Sequence, residues 1–317
     1  MEQEPFARST TLSRKSKLFF GIFSLGVVLA GTVLFALNVT APKTVKVNTP
    51  IAGHAVLTAN TPYQKLTPGT SWQIQFNSPI DEKVLDKTSN PKKMYDIDME
   101  NTSANIISRL KNKGITVVCY MEVGAWENYR QDAKSFPANV KGKSLDPPFQ
   151  NERYLDIRSK VVKDLIVKRM DRAKAKGCQG IDPDIDDAYF QDFTGNYNKK
   201  SSFTGFSISY ADQLSYNRYM ANAAHSRGMS YGLKNGADAR YVKDMLPYAD
   251  WVLNEQCYQY KECDVYKPFI AANKAVFQIE YTSPVAKFCP ALNKLNFDSI
   301  KKSVALSATP RVACRND

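Results

Sequence analysis

Three times in this sequence an amphipathic run closes on basic residues and a glycine, then passes directly into a short β-type run. SANIISRLKNKG ends at Gly114 before ITVVCYME (115–122). SKVVKDLIVKRMDRAKAKG ends at Gly177 before CQGIDPD (178–184), and YADQLSYNRYMANAAHSRG ends at Gly228 before MSYGLKN (229–235). Each amphipathic run spaces apolar residues at i, i+3 and i+4, and glycine after basic residues is a common helix exit. Helices that feed strands in this way are crossovers between parallel strands. Five further β-type runs continue the rhythm: SWQIQF (71–76), MYDIDM (94–99), WVLNEQ (251–256), AVFQIEY (275–281) and FDSIKKS (297–303). Eight strands in about 250 residues fit an α/β fold of the (β/α)8, TIM-like barrel type. An open doubly wound sheet is the rival, but no glycine-rich phosphate loop follows the first strand. The run YLDI (154–157) falls in a long insertion between the third and fourth strands and reads as loop.

Ahead of the barrel the composition changes twice. LFFGIFSLGVVLAGTVLFALNV (18–39) is uncharged, and as a helix it spans about 33 Å, one hydrocarbon core. Arg8, Arg14, Lys15 and Lys17 precede it. Positive charge on that side keeps residues 1–17 in the cytoplasm and sends the rest outside. The expectation is a single-pass type II signal anchor, with the domain extracellular. A cleaved signal peptide followed by secretion is the alternative, although no A-x-A site follows. Residues 40–70 are rich in Thr and Pro and read as an extended spacer, leaving 71–317 as the barrel domain.

All six cysteines lie in that domain, which would face an oxidising compartment. The short spacing favours a Cys257–Cys263 disulfide, and Cys289 with Cys314 can staple the C-terminus. Cys119, inside an apolar run, reads as a buried free thiol. No CxxC pair occurs and His225 is the domain's single histidine, so neither zinc nor another cofactor is expected. The formal net charge of +12 suits anionic surroundings. No basic stripe with interleaved aromatics is present, which argues against nucleic acid as a partner. Asn101-Thr102-Ser103 is a glycosylation sequon, expected to be unused or to point aside.

The densest chemistry is GIDPDIDDAY (180–189), with Asp182, Asp184, Asp186 and Asp187. An unpaired buried carboxylate costs several kcal/mol. These acids must therefore reach water, meet cations, hold protons or react. Asp182 and Asp184 are two apart and share one face of a strand, while Ile181 and Pro183 take the other. A calcium loop opens with D-x-D-x-D, but Asp187 stands at its sixth position in place of Gly and Phe193 at its twelfth in place of Glu. For Asp186 and Asp187 a solvated turn is the simpler reading. Barrel chemistry gathers at strand C-terminal ends. Those ends carry Asp96, Asp98, Glu122, Asp182, Asp184, Lys234, Asn235, Glu255, Glu280, Tyr281, Lys301 and Lys302. Glycoside hydrolysis needs one carboxylic acid to protonate the leaving oxygen and a second carboxylate opposite it. Asp184 and Glu255, on the fourth and sixth strands, are the candidate pair.

YDIDMENT, VVCYMEVGAWENYRQD, KGCQGIDPDIDDAY, GLKN and NEQC-x5-C occur in this order. Together they resemble glycoside hydrolase family 114, the endo-α-1,4-polygalactosaminidases, over about residues 71–314. The resemblance implies a TIM-like barrel that hydrolyses α-1,4-linked galactosamine polymers, galactosaminogalactan included, and hence a cationic amino-sugar polysaccharide as partner. It implies as catalytic residues the second acid of an E-P-D-N segment and the Glu of NEQC, here Asp184 and Glu255. This chain departs from the pattern at Asp182, which replaces Glu, at Ile185, which replaces Asn, and at Glu122, where many members have a small or polar residue. In this scheme Asp184 is nucleophile or base and Glu255 the general acid. Lys234 holds Asp184 ionised or forms a plain structural ion pair, and Asp98, Glu122 and Asp182 bind amino groups. Asn235 and Glu280 complete the cleft. Trp126, Tyr189 and Tyr258 stack on sugar faces, with core packing as the alternative for each. A non-catalytic carbohydrate-binding barrel and a hydrolase of a different α-linked amino-sugar polymer are the competing functions.

Overall fold

The computed structural model describes residues 63–78, 80–81 and 92–315. The expected cytoplasmic tail, the anchor at 18–39 and most of the spacer lie outside the described residues. Among the described residues no helix is long and apolar enough to cross a membrane.

Among the described residues twelve strands are formed: β1 (Trp72–Gln75), β2 (Met94–Asp98), β3 (Thr116–Glu122), β4 (Ala125–Glu127), β5 (Lys141–Ser144), β6 (Glu152–Leu155), β7 (Gly180–Asp184), β8 (Ser230–Lys234), β9 (Trp251–Glu255), β10 (Val276–Glu280), β11 (Asp298–Lys302) and β12 (Arg311–Ala313). The eight expected strands are β1, β2, β3 and β7 to β11. They lie side by side in that order through parallel ladders, as a nearly closed barrel. Among the described residues no ladder joins β11 to β1, and side chains cross the seam instead. The Trp72 indole N–H donates to the Asp298 carbonyl at 2.8 Å, and Lys302 Nζ donates to Gln73 Oε1 at 3.0 Å. β12 adds to the outer edge of β11 antiparallel, and its Arg311 donates to the Trp72 carbonyl at 2.9 Å.

The helices are α1 (Ala104–Asn112), α2 (Lys160–Lys176), α3 (Tyr210–His225), α4 (Ala239–Met245), α5 (Cys257–Tyr260), α6 (Lys267–Ala271) and α7 (Val285–Lys294). Local signals set their ends. Ser103, the hydroxyl residue of the sequon, accepts from the Ile106 N–H at 3.2 Å and starts α1, leaving Asn101 exposed. Ser209 and Asp212 form a reciprocal capping box on α3. Gly177 closes α2 in the left-handed region at φ 104°, a conformation that costs glycine little.

Strand alternation divides the core. Trp72, Ile74, Val118, Tyr120, Leu253, Phe277 and Ile279 fill the barrel interior, each worth roughly 1.5–3 kcal/mol when fully buried. Ile97, Val117, Ile181, Tyr231, Val252 and Val276 face the helical layer. Gly232 lets the Trp251 ring cross the interior, since a Cβ there would stand 2.4 Å from the indole.

Three expectations change. Tyr154 and Leu155 of YLDI belong to β6, the central strand of a three-stranded antiparallel sheet ordered β4-β6-β5, so the insertion is not simply loop. Cys119 is not a free thiol. It is bonded to Cys178, with Cα atoms 5.9 Å apart, alongside the expected Cys257–Cys263 and Cys289–Cys314 pairs. Contacts with the barrel also begin ahead of Ser71. Tyr63 donates to Asp250 at 2.7 Å and stacks on His225 at 4.9 Å, while Leu66 packs into the interior cluster.

Candidate active site

β7, β8 and β9 each end on a polar side chain and then turn abruptly. Asp184, Lys234 and Glu255 are followed by Ile185 at φ 54°, Asn235 at φ 50° and Gln256 at φ 66°. The left-handed region costs an L-residue roughly 1–2 kcal/mol, least for Asn and most for a β-branched residue. Ile185 is therefore the strained member. Its side chain packs against the cluster of Ala125, Leu145, Tyr154 and Ala188 beneath the small sheet, contacts an Asn amide cannot replace. The Ile185 amide also donates to Asp184 Oδ1 at 2.9 Å. Gly124 makes the turn possible, because a Cβ there would lie 1.9 Å from the Ile185 carbonyl oxygen.

Lys234 is a buried lysine of the interior. Its Nζ stands 3.0 Å from Asp182 Oδ2 and 5.7 Å from the Tyr120 ring centroid. Burial favours loss of its proton, but the nearby carboxyl groups, Asp182 first and then Asp184 and Glu255, outweigh it and hold the ammonium well above the usual lysine range. Glu255 accepts from the Tyr281 hydroxyl at Oε1. It accepts from Asn235 Nδ2 at Oε2, 3.2 Å away, and its amide donates to Asn235 Oδ1 at 2.8 Å. Burial raises its pKa, Lys234 opposes that, and Asp184 adds to the rise. The bonds from Tyr281 and Asn235 also oppose it, and the net direction is upward. A glutamate that keeps its proton longer than usual suits a general acid. Alternation puts Asp184 in phase with Asp182, Glu255 with Trp251 and Leu253, and Tyr281 with Phe277 and Ile279, all on the interior side.

Other expected site residues are committed elsewhere. Asp98 receives both terminal nitrogens of Arg130 at 3.0 and 2.8 Å, so it anchors a loop and does not offer itself to an amino group. Asp182 is likewise occupied by Lys234. Glu122 accepts from the Tyr120 hydroxyl at 2.6 Å, and its carboxylate gathers with Glu127 and Glu152 within 4.8 Å. Arg130 Nε bonds Glu127 at 2.7 Å, bringing a cation to that acidic group. Tyr189 is buried in a short 3-10 turn among Phe190, Phe193 and Tyr210, and its hydroxyl donates to the Lys199 carbonyl at 3.0 Å. It is a core residue and not a sugar platform. Trp126 lies on β4 with its indole N–H on the Ala133 carbonyl and Lys141 Nζ 4.4 Å from the ring centroid. Tyr258 lines a peripheral groove between α5 and α7.

Glu280 is corrected by strand parity. Phe277 and Ile279 face inward, so Gln278 and Glu280 face the helices. There Glu280 accepts from the Tyr258 amide, Gln278 Nε2 and Ser283 Oγ at 3.0, 2.8 and 2.7 Å. Asp186 is buried and not solvated, accepting the Lys234 N–H at 3.2 Å. Tyr281, Tyr120 and Asp96 belong to the interior group although the resemblance did not single them out. Their phase with inward apolar neighbours was the available signal. Arg130, on an irregular loop, had none.

The sequence matches the model of glycoside-hydrolase family GH114 over residues 53–317. The chain belongs to glycoside hydrolase family 114. As a family 114 member it is a glycoside hydrolase with the barrel described above. The crystal structure of Aspergillus fumigatus Ega3 in complex with galactosamine is 32% identical, covering 81% of this chain and 100% of that one at a TM-score of 0.69. The glycoside hydrolase domain of PelA from Pseudomonas aeruginosa shares the fold, with a TM-score of 0.57 at 14% identity over 77% of this chain and 98% of that one. No curated protein matches the sequence.

Proposed function

We propose that this family 114 hydrolase is endo-acting and cleaves α-1,4-linked galactosamine polymers, with Asp184 and Glu255 as its carboxyl pair. The observation that carries the reading is the difference in surroundings of these two inward carboxyls. Glu255 is buried, pushed toward its protonated form, and fitted with donors from Tyr281 and Asn235 that would receive the carboxylate once its proton has gone. Asp184 belongs to the negative charge that keeps Lys234 protonated, and its own amide neighbour fixes one of its oxygens. In the reaction Glu255 gives its proton to the glycosidic oxygen. Asp184 attacks the anomeric carbon or activates water against it. The amino-sugar substrate is supported by the galactosamine bound to the 32% identical Ega3.

The chain carries a net charge of +12, which opposes capture of a cationic polymer at long range. Salt screens that repulsion beyond roughly 8 Å, and inside the cleft the local carboxylates dominate. Incubating the protein with deacetylated galactosamine polymer tests the reading. Wild type is expected to release new reducing ends, and Asp184→Asn and Glu255→Gln to release essentially none. A silent wild type overturns this substrate, and two fully active variants overturn the site.

We also propose that residues 18–39 anchor the enzyme with its barrel outside the cell. The charge flanking that run and the three disulfides support this. A C-terminal tag open to protease on intact cells is the expected result, and a protected tag overturns it.

A further inference from the structure

One buried carboxyl remains without a role. Asp96 of β2 lies one layer below Asp98, and the ladders set it beside Ile74 of β1 and Val118 of β3, both apolar and buried. Among the described residues neither oxygen of Asp96 has an N–H or O–H donor in range, and Oδ1 of Asp182 is in the same position. What each meets is the other's carboxyl group. Two carboxyls can bond only when a proton lies between them. The surroundings decide which one holds it. Asp182 has Lys234 on its other oxygen at 3.0 Å, whereas Asp96 has apolar neighbours on its own layer.

We propose that Asp96 is a positioning residue, a neutral carboxylic acid that donates its O–H to Oδ1 of Asp182 and so fixes Asp182 as the carboxylate partner of Lys234. Asp182 then stays charged, Lys234 stays engaged with it, and the ammonium does not turn its full charge on Glu255. The inference deepens the proposed function and rests on Glu255 as the general acid. Burial first, then the charge of Asp182, drives Asp96 well above the usual carboxyl range, with Lys234 opposing and Asp184 adding. The other nearby acids are engaged elsewhere: Asp98 with Arg130, Glu122 with Tyr120, and Glu255 with Tyr281 and Asn235.

Removing the Asp96 O–H raises the proton affinity of Asp182. A protonated Asp182 no longer holds Lys234, whose charge then loosens the Glu255 proton. The test compares wild type, Asp96→Leu and Asp96→Asn by kcat/KM against pH on the galactosamine polymer. It also takes the infrared difference between wild type and Asp96→Asn at neutral pH. In Asp96→Leu the basic limb is expected to fall by about half a pH unit or more. Asn, which keeps a donor without a charge, is expected to restore it, and the infrared difference to show a protonated carboxyl lost in the variant. An unmoved limb in the Leu variant, an Asn variant shifted as far as the Leu variant, or no lost protonated carboxyl overturns the proposal. Should Asp96→Leu fail to fold, the Asn profile and the infrared band decide. A wild type inactive on the polymer overturns the hydrolase reading instead, and the infrared result then decides for Asp96.

Discussion

Lys234→Met keeps most of the side-chain volume and removes the cation that stands 3.0 Å from Asp182, with both groups buried. Removing one partner of a buried pair costs about 3–5 kcal/mol, a large share of the roughly 5–15 kcal/mol that holds a domain together. The loss depends on pH with a definite sign. Burial already holds the Asp182 pKa above its ordinary value, and Lys234 pulls it back. Without the lysine the folded value rises further while the unfolded one stays near ~3.9. A carboxyl with a raised folded pKa costs stability above both values, and the cost fades as pH falls through the folded one. The wild type moves the same way but less, because Lys234 keeps the Asp182 pKa closer to its ordinary value. The gap between the two proteins is therefore expected to be widest near pH ~7 and to narrow toward pH ~4. Urea unfolding followed by tryptophan fluorescence at both pH values measures it. A gap below about 1 kcal/mol at neutral pH, or one of equal size at both, refutes the pairing as the source of this stability.

Tyr281→Phe removes the hydroxyl that favours ionised Glu255. A bond to a charged group is worth about 1.5–3 kcal/mol, so the basic limb of the pH–rate profile is expected to rise by about one to two units. A limb that stays in place excludes Glu255 as the titrating acid. Replacing Cys119 and Cys178 together by Ala opens a 59-residue connection, for which chain entropy predicts a loss of about 4 kcal/mol. It is read from the urea midpoint under non-reducing conditions, and an unshifted midpoint contradicts it. Lys302 is buried at the seam and held at about 7, first by burial and then by Arg311. An unfolded lysine titrates near ~10.4, so the unfolded chain binds the extra proton between those values and wild-type stability gains with rising pH. Lys302→Met is expected to flatten that part of the Tm-against-pH curve, and an identical slope in both proteins assigns it elsewhere.

Much of this architecture is legible before any coordinates, because alternating helical and strand periods admit few solutions. The eight barrel strands, the crossover helices and the inward phase of Asp182 and Asp184 all follow from periodicity. Legibility ends where a side chain's partner arrives from a segment without periodicity. Asp98 reads as a free acid at a strand end, and nothing in ENYRQD reveals that Arg130 closes on it. Cys119 reads as buried, which it is. Its partner Cys178 opens the run that the eight-strand reading already sets beside β3, so the pair is legible from strand order and only the exact register is not. Glu280 is a different kind of miss. Its inward neighbours Phe277 and Ile279 were visible, and parity alone would have turned it toward the helices and promoted Tyr281.

The four carboxylates of GIDPDIDDAY are tolerable because no two are handled alike. Asp182 is matched by the Lys234 ammonium. Asp186 is pushed toward its protonated form, first by burial and then by Asp187, and it accepts the Lys234 backbone N–H. Asp187 accepts from Gln191 at 3.2 Å at the edge of solvent, and Asp184 remains at the mouth. One lysine thus serves two acids, with its side chain and with its amide. That double use works only if β8 is fixed against β7 to within a fraction of an ångström, which the abrupt left-handed ends after Asp184, Lys234 and Glu255 help to enforce. The backbone strain at Ile185 and the crowding of charge are therefore two aspects of one requirement. A site that stabilises developing charge must have its dipoles and ions in place before substrate arrives. In this barrel the proposed acid Glu255, its proposed carboxylate partner Asp184 and Lys234 on the strand between them are held by three consecutive parallel strands.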